Sequence, residues 1–163
     1  PGHFNDPDML VVGHVAWGHP KPTKLTPNEQ YTQVSLWSLL ASPLLIGCDM
    51  TKLDDFTLNL LTNDEVIEVN QDPLGRQAGR ITQEGTREVW AKPMEDGSMA
   101  VGLFNRSQRE QTVTVTWSDL GITGRQSVRD LWRQKDLGEF TGQFQAQVGR
   151  HGVVLVKIAP AKQ

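Results

Sequence analysis

Gly2-His3-Phe4-Asn5-Asp6-Pro7-Asp8-Met9-Leu10-Val11-Val12-Gly13 places two carboxylates around one proline, directly before a short apolar run. In an extended segment Asp6 and Asp8 point to one face, because side chains alternate along a strand. Pro7 fixes φ and biases Asp6 away from the helical region, so the pair is held stiff. Two readings stay open for it. A carboxylate pair can line a cleft and hold hydroxyl groups or a cation, or Asn5 and Asp6 can bond their own backbone in an Asx-type turn.

The fold follows from what comes next. Residues 14–22 are rich in Gly, Pro and His and read as a loop carrying an exposed Trp17. A helix then begins with Thr26 as N-cap, Pro27 at its first position and Glu29 completing a capping box. Its apolar positions, from Tyr31 to Ala41, form too broad a stripe for a lightly packed surface helix. After Ser42-Pro43, the run Leu44-Leu45-Ile46-Gly47 has the pattern of a strand buried on both faces. Residues 8–47 thus read strand, loop, helix, strand, a unit that demands a parallel sheet. Sites in such sheets sit at the carboxyl ends of strands, so Asp8 and Asp49 are expected near one mouth, with Asp49 also placed to cap the following turn.

Residues 51–61 read as a short helix, and Thr62-x-x-Glu65 as a capping box opening another over 64–70. Asn70-Gln71-Asp72-Pro73-Leu74-Gly75 stops that helix, and the domain boundary is expected here: 1–75 and 76–163. Beyond it the period changes from helical to alternating. Strands are expected at 87–92, 99–104, 111–117, 128–132, 139–140, 143–148 and 153–158, with Asp96-Gly97 as a hairpin turn. Short strands at this spacing mean an antiparallel β-sandwich. The first part holds only two parallel strands for its apolar helices to cover, so it reads as the end of a larger parallel-sheet domain.

Bulk properties narrow the function. At 37% hydrophobic and 21% charged the chain has a globular composition, and a net charge of −3 gives no reason to expect nucleic acid or an anionic membrane as partner. No apolar run approaches the roughly 20 residues that span a bilayer. Cys48 alone cannot form a disulfide within this segment. Starting at Pro1 with no leader pattern, the chain is expected to be a piece of a longer protein. A metal site would draw on His3, Asp6, Asp8, His14 and His19, but their spacing matches no zinc pattern, so neither metal nor cofactor is expected. No serine lies in a nucleophile elbow, and no Gly-rich phosphate loop appears.

Three motifs then carry a resemblance: Asn5-Asp6-Pro7-Asp8-Met9-Leu10-Val11-Val12-Gly13, Ser35-Leu36-Trp37-Ser38-Leu39-Leu40-Ala41-Ser42-Pro43-Leu44-Leu45-Ile46-Gly47-Cys48-Asp49, and Asn70-Gln71-Asp72-Pro73-Leu74-Gly75. In order and spacing they resemble the family-27 glycoside hydrolases, the melibiase-type α-galactosidases. The match is strong over 1–75 and looser over 76–160. It implies the last two strands and helices of a (β/α)8 TIM barrel, strand 7 ending at Asp8 and strand 8 over 44–47, followed by the sandwich. It implies a retaining exo-glycosidase acting on terminal α-galactosides, in which one carboxylate attacks the anomeric carbon and a second, about 5 Å away, serves as acid and base. By this resemblance both catalytic Asp residues lie upstream, so this chain alone is expected to be inactive and to need the N-terminal barrel portion.

The same resemblance puts Asp8 and Met9 against the bound sugar, with Asp6 behind them orienting the strand end. Phe4 stands where the family usually has Trp. The loop over 14–24 is longer than in compact members, leaving Trp17 to stack on a sugar ring or to fold onto its own helix. Relatives act on α-galactosides, α-N-acetylgalactosaminides and β-L-arabinopyranosides, and many bacterial members are secreted or periplasmic. The competing reading is a non-catalytic carbohydrate-binding or structural sandwich, although Trp90, Trp117 and Trp132 read as core rather than as a sugar platform.

Overall fold

A computed structural model describes residues 5–16 and 18–161; Pro1, Gly2, His3, Phe4, Trp17, Lys162 and Gln163 lie outside them, and with these the expectations placed on His3, Phe4 and Trp17. The expected parallel pairing is present in reduced form. Leu10 N donates to Leu45 O at 2.8 Å and Leu10 O accepts from Gly47 N at 3.0 Å, a single parallel bridge between Leu10 and Ile46. This is a mixed α/β region, and the described residues form no closed barrel.

The chain turns away at Gly13, whose φ of +63° suits glycine and whose missing Cβ would stand 2.7 Å from Thr57 Cγ2. The segment expected to be irregular instead contains a small antiparallel hairpin, β1 (His14–Val15) with β2 (Lys21–Pro22). Helix α1 (Pro27–Leu39) starts as expected: Glu29 N donates to the Thr26 hydroxyl and Thr26 N donates to Glu29 Oε2.

Residues 51–61 are not one helix. Asp49 caps a 3₁₀ turn, Met50–Lys52, and Asp54 then caps α2 (Asp55–Thr62) by accepting from Thr57 N at 2.7 Å. The cap of α3 (Asp64–Gln71) is also not Thr62. Asn63 Oδ1 accepts from Val66 N at 3.0 Å, while the Thr62 hydroxyl donates back to Leu58 O. Asn63 prevails because its amide also donates to Leu131 O and Trp132 O, so one side chain caps α3 and ties it to the β region.

Eight strands follow: β3 (Gly79–Glu84), β4 (Arg87–Pro93), β5 (Met99–Asn105), β6 (Gln111–Thr116), β7 (Arg125–Asp130), β8 (Lys135–Thr141), β9 (Gln143–Val148) and β10 (Val153–Pro160). Six form an antiparallel sheet in the order β3-β4-β5-β10-β7-β8, and β6 pairs with β9. Alternation gives the large sheet two apolar faces. Val89, Val101, Leu103, Val156 and Ile158 meet Val113, Val115 and Phe144 of the small sheet. On the other face Ala100, Phe104 and Leu155 meet Val34 and Leu39 of α1 and Val66 and Val69 of α3.

Trp117 does not continue β6. Thr116 and Asp119 form a capping box that opens a one-turn helix, α4 (Trp117–Leu120), and Trp117 drops into the sandwich core. Trp90 and Trp132 are half-buried on the α1 side, where Trp132 Nε1 donates to the Ser35 hydroxyl at 2.8 Å. No described helix is long and apolar enough to cross a membrane.

Candidate functional site

The Asp-Pro-Asp segment adopts the turn rather than the extended pair. Asp6 Oδ1 accepts from Asp8 N at 3.0 Å, closing an Asx turn over Pro7. Asp8 itself has φ +68°, a left-handed conformation that Asp tolerates better than most residues, and its Oδ1 accepts from Met9 N at 2.8 Å. The two carboxylates therefore do not project from one strand face, as an extended chain would have them. Both stay exposed, and among the described residues only Oδ1 of each is engaged. Each retains an oxygen able to accept from a hydroxyl group.

Helix α1 holds this segment from one side. Trp37 Nε1 donates to Asp8 O at 3.0 Å, Gln33 bonds both Met9 O and Val11 N, and Gln30 Oε1 accepts from Gly13 N. The side-chain hydroxyl of Ser42 donates to Asn5 O at 3.1 Å. None of these partners follows from the motif's own spacing. Their sequence signal is the spacing of Gln30, Gln33 and amphipathic Trp37 along one row of the helix.

Asp8 and Asp49 flank the parallel bridge. Asp8 precedes the parallel bridge by two residues, and Asp49 follows it by three, with Asp49 N donating to His14 O at 2.8 Å. The Asp49 carboxylate is occupied as a cap: the Thr51 hydroxyl and amide both donate to its Oδ1, and these bonds, the hydroxyl first, hold it below the usual carboxylate range. Burial pushes the neighbouring Cys48 thiol up, away from thiolate chemistry. Among the described residues no three His, Cys, Asp or Glu side chains come together as a metal site, so Asp6, Asp8, His14 and His19 are not brought into one ligand set.

Met9, Val11, Leu45 and Ile46 are each 41–47% exposed, an apolar surface on either side of the bridge. Behind it, Leu10, Val34, Leu44, Ile46, Leu60 and Val66 bound an apolar cavity of about 190 Å³ that also contains the unbonded Ser38 hydroxyl. Asp8 and Met9 do not line it. A second cleft, of about 280 Å³, runs along the seam between α1 and the sandwich, bounded by Glu29, Thr32, Phe104, Arg106 and His151.

Comparison with known proteins gives two family matches. The model described as α-galactosidase A matches residues 1–72, and that for the α-galactosidase C-terminal β-sandwich domain matches residues 84–158. The α-galactosidase of Cyamopsis tetragonoloba is 40% identical over 98% of this chain and 38% of its own length. Human α-galactosidase A is 30% identical over 100% of this chain and 38% of its own length. Among solved structures, a GH27 β-L-arabinopyranosidase from Geobacillus stearothermophilus superposes with a TM-score of 0.93 at 36% identity, covering 99% of this chain and 38% of that one. The α-galactosidase I of Mortierella vinacea does so with a TM-score of 0.88 at 32% identity, covering 95% and 39%. The chain spans roughly two fifths of the length of these relatives.

Proposed function

The chain belongs to glycoside hydrolase family 27, the melibiase-type α-galactosidases, and from that premise we propose that it is the C-terminal part of a retaining exo-glycosidase that releases terminal α-D-galactosyl residues. In this reading residues 1–75 are the last two strands and helices of a (β/α)8 barrel, and residues 76–163 are its β-sandwich domain. Upstream strands supply the nucleophile and the acid/base, and the segment alone is inactive. The exposed apolar residues beside the Leu10–Ile46 bridge support this arrangement, because strand pairs buried on both faces need neighbours to cover them.

The observation that carries the site is the Asx-turned Asp6-Pro7-Asp8, which leaves Asp8 and Met9 exposed beside that uncovered bridge. Asp8 accepts from a sugar hydroxyl and Met9 gives the ring apolar contact, while Asp6 fixes the turn. Asp49 serves from behind, ordering the chain after the second strand. A carboxylate at Asp8 also raises the pKa of a nearby proton donor through like-charge repulsion.

The similarity to a β-L-arabinopyranosidase favours a second substrate, since that sugar is the galactose ring without its exocyclic hydroxymethyl group. The full-length protein assayed against the p-nitrophenyl α-D-galactoside, β-L-arabinopyranoside and α-N-acetylgalactosaminide separates these, and absence of all three activities refutes the glycosidase reading. Asp8→Asn in that protein is expected to lower kcat/KM about 10- to 100-fold, the worth of one charge-assisted hydrogen bond. An unchanged kcat/KM removes Asp8 from the site.

A further inference from the structure

One face of α1 is polar and points at backbone. Gln30, Gln33 and Trp37 are three and four residues apart, which stacks them in one row along a helix. Opposite them runs the segment 8–13, and each takes a main-chain group from it in turn. Gln30 Oε1 accepts from Gly13 N at 3.1 Å. Gln33 Oε1 accepts from Val11 N at 3.0 Å and its Nε2 donates to Met9 O at 3.4 Å. Trp37 Nε1 donates to Asp8 O at 3.0 Å.

A primary amide presents the same donor and acceptor as a peptide group. Gln33 therefore pairs with Met9 and Val11 as a residue on an adjacent strand does, while Leu10 between them pairs with Leu45 and Gly47 on the other side. The segment is bonded along both edges, one by a strand and one by helix side chains. This matters at Asp8, whose left-handed φ is costly for a non-glycine residue and persists only where the surroundings over-determine it. Gln30 is itself fixed, being buried and donating through Nε2 to Leu25 O.

We propose that Gln33 and Trp37, braced by Gln30, are positioning residues that hold the backbone of Asp8 and Met9 in the conformation that meets the sugar. The proposal rests on the reading of Asp8 and Met9 as sugar contacts and adds the device that aims them. A purely structural role for the same bonds predicts lost stability with unaltered substrate binding.

The test uses full-length enzyme with Gln33→Met, which keeps length and removes both bonds, and Gln33→Glu, which keeps the acceptor for Val11 N. Hydrogen exchange is expected to accelerate at the Val11 amide in Q33M but not in Q33E, and not at Leu10 in either. KM for the hydrolysed p-nitrophenyl glycoside is expected to rise about three- to tenfold in Q33M, the worth of one or two neutral hydrogen bonds, with kcat within about twofold. Trp37→Phe is expected to show the same KM-weighted loss. Unchanged Val11 exchange in Q33M overturns the bonding, and accelerated exchange with unchanged KM overturns the positioning role. Wild-type enzyme inactive on all three glycosides instead fails the functional reading, and this inference with it.

Discussion

Replacing Glu29 with Gln tests how the α1 face of the large sheet is closed. Glu29 Oε1 accepts from His151 Nδ1 at 2.8 Å, and Oε2 accepts from Thr26 N and the Thr26 hydroxyl, both at 2.8 Å. Gln108 Nε2 stands 2.9 Å from His151 Nε2, and an amide nitrogen only donates. His151 Nε2 is therefore the acceptor, and Nδ1 carries the proton given to Glu29. His151 sits in the β9–β10 turn with φ +49°, and its carbonyl accepts from the Thr32 hydroxyl, so α1 grips both its ring and its backbone.

These bonds, that from His151 foremost and those from Thr26 next, hold the Glu29 carboxyl at about 2 against an ordinary 4.5. A carboxylate depressed in the folded state contributes stability that is present above its unfolded pKa and is lost as pH falls through its folded one. The window here runs from about 4.5 down through about 2. Fully expressed, that gap corresponds to about 3 kcal/mol, and with the side chain 28% exposed, solvent screening reduces it to about 1–2 kcal/mol. Gln at the same position keeps an acceptor for the Thr26 amide, so the helix start survives the substitution. Urea unfolding is expected to show E29Q less stable by about 1–2 kcal/mol at pH 7, with about a quarter of that gap remaining at pH 2.5. A gap of the same size at both pH values refutes the argument.

Asn63 separates capping from tethering: Asn63→Ser keeps the cap on Val66 N and loses the bonds to Leu131 O and Trp132 O, while Asn63→Ala loses both. Thermal midpoints are expected in the order wild type, N63S, N63A, with about 1 kcal/mol between the two variants, and equal midpoints remove the capping role. Gly102 lies where α1 touches β5, and a Cβ there would stand 2.5 Å from Phe104 Cε2 and 2.7 Å from Leu39 Cδ1. Gly102→Ala is expected to cost about 1–3 kcal/mol in urea unfolding and to be partly relieved by Leu39→Val, so strict additivity of the two counts against the wedge. Lys92 is fully buried with its Nζ on Val69 O at 2.5 Å, and burial pushes its ammonium down while Asp72 partly opposes the shift. The unfolded chain then holds more protons, so stability rises with pH between the lowered folded value and about 10.4; Lys92→Met is expected to abolish that rise, and an identical slope in both proteins refutes it.

The elements legible from sequence are those whose cause is local. Thr26, Pro27 and Glu29 state a helix start within four residues, and Asp96-Gly97 states a hairpin within two. Strict alternation over 111–116 gives β6 its buried valines. Where the same kind of signal had two claimants, distant partners decided. Thr62 and Asn63 both precede a plausible first turn, and Asn63 caps because carbonyls of Leu131 and Trp132 lie within its reach. Thr116 and Asp119 offer a helix start that the preceding alternation masks, so by sequence Trp117 reads as part of the strand. The order β3-β4-β5-β10-β7-β8 inserts the last strand between β5 and β7, and no local pattern encodes that.

The site divides along the same line. Asp6-Pro7-Asp8 is locally ambiguous between an extended pair and an Asx turn, because Pro7 suits both and Asp accepts either backbone region. What selects the turn is supplied from 29 and 37 residues away, where Trp37 takes the Asp8 carbonyl and Ser42 takes that of Asn5. A spacing rule sees side chains two residues apart and assumes a straight backbone between them. Once Asp8 enters the left-handed region that assumption fails, and the two carboxylates acquire separate tasks, one closing the turn and one left outward with an oxygen to offer. The motif therefore takes its shape only in company with the helix that follows it, which gives Gln33 and Trp37 a hold on the Asp8–Val11 backbone that their own chemistry does not announce.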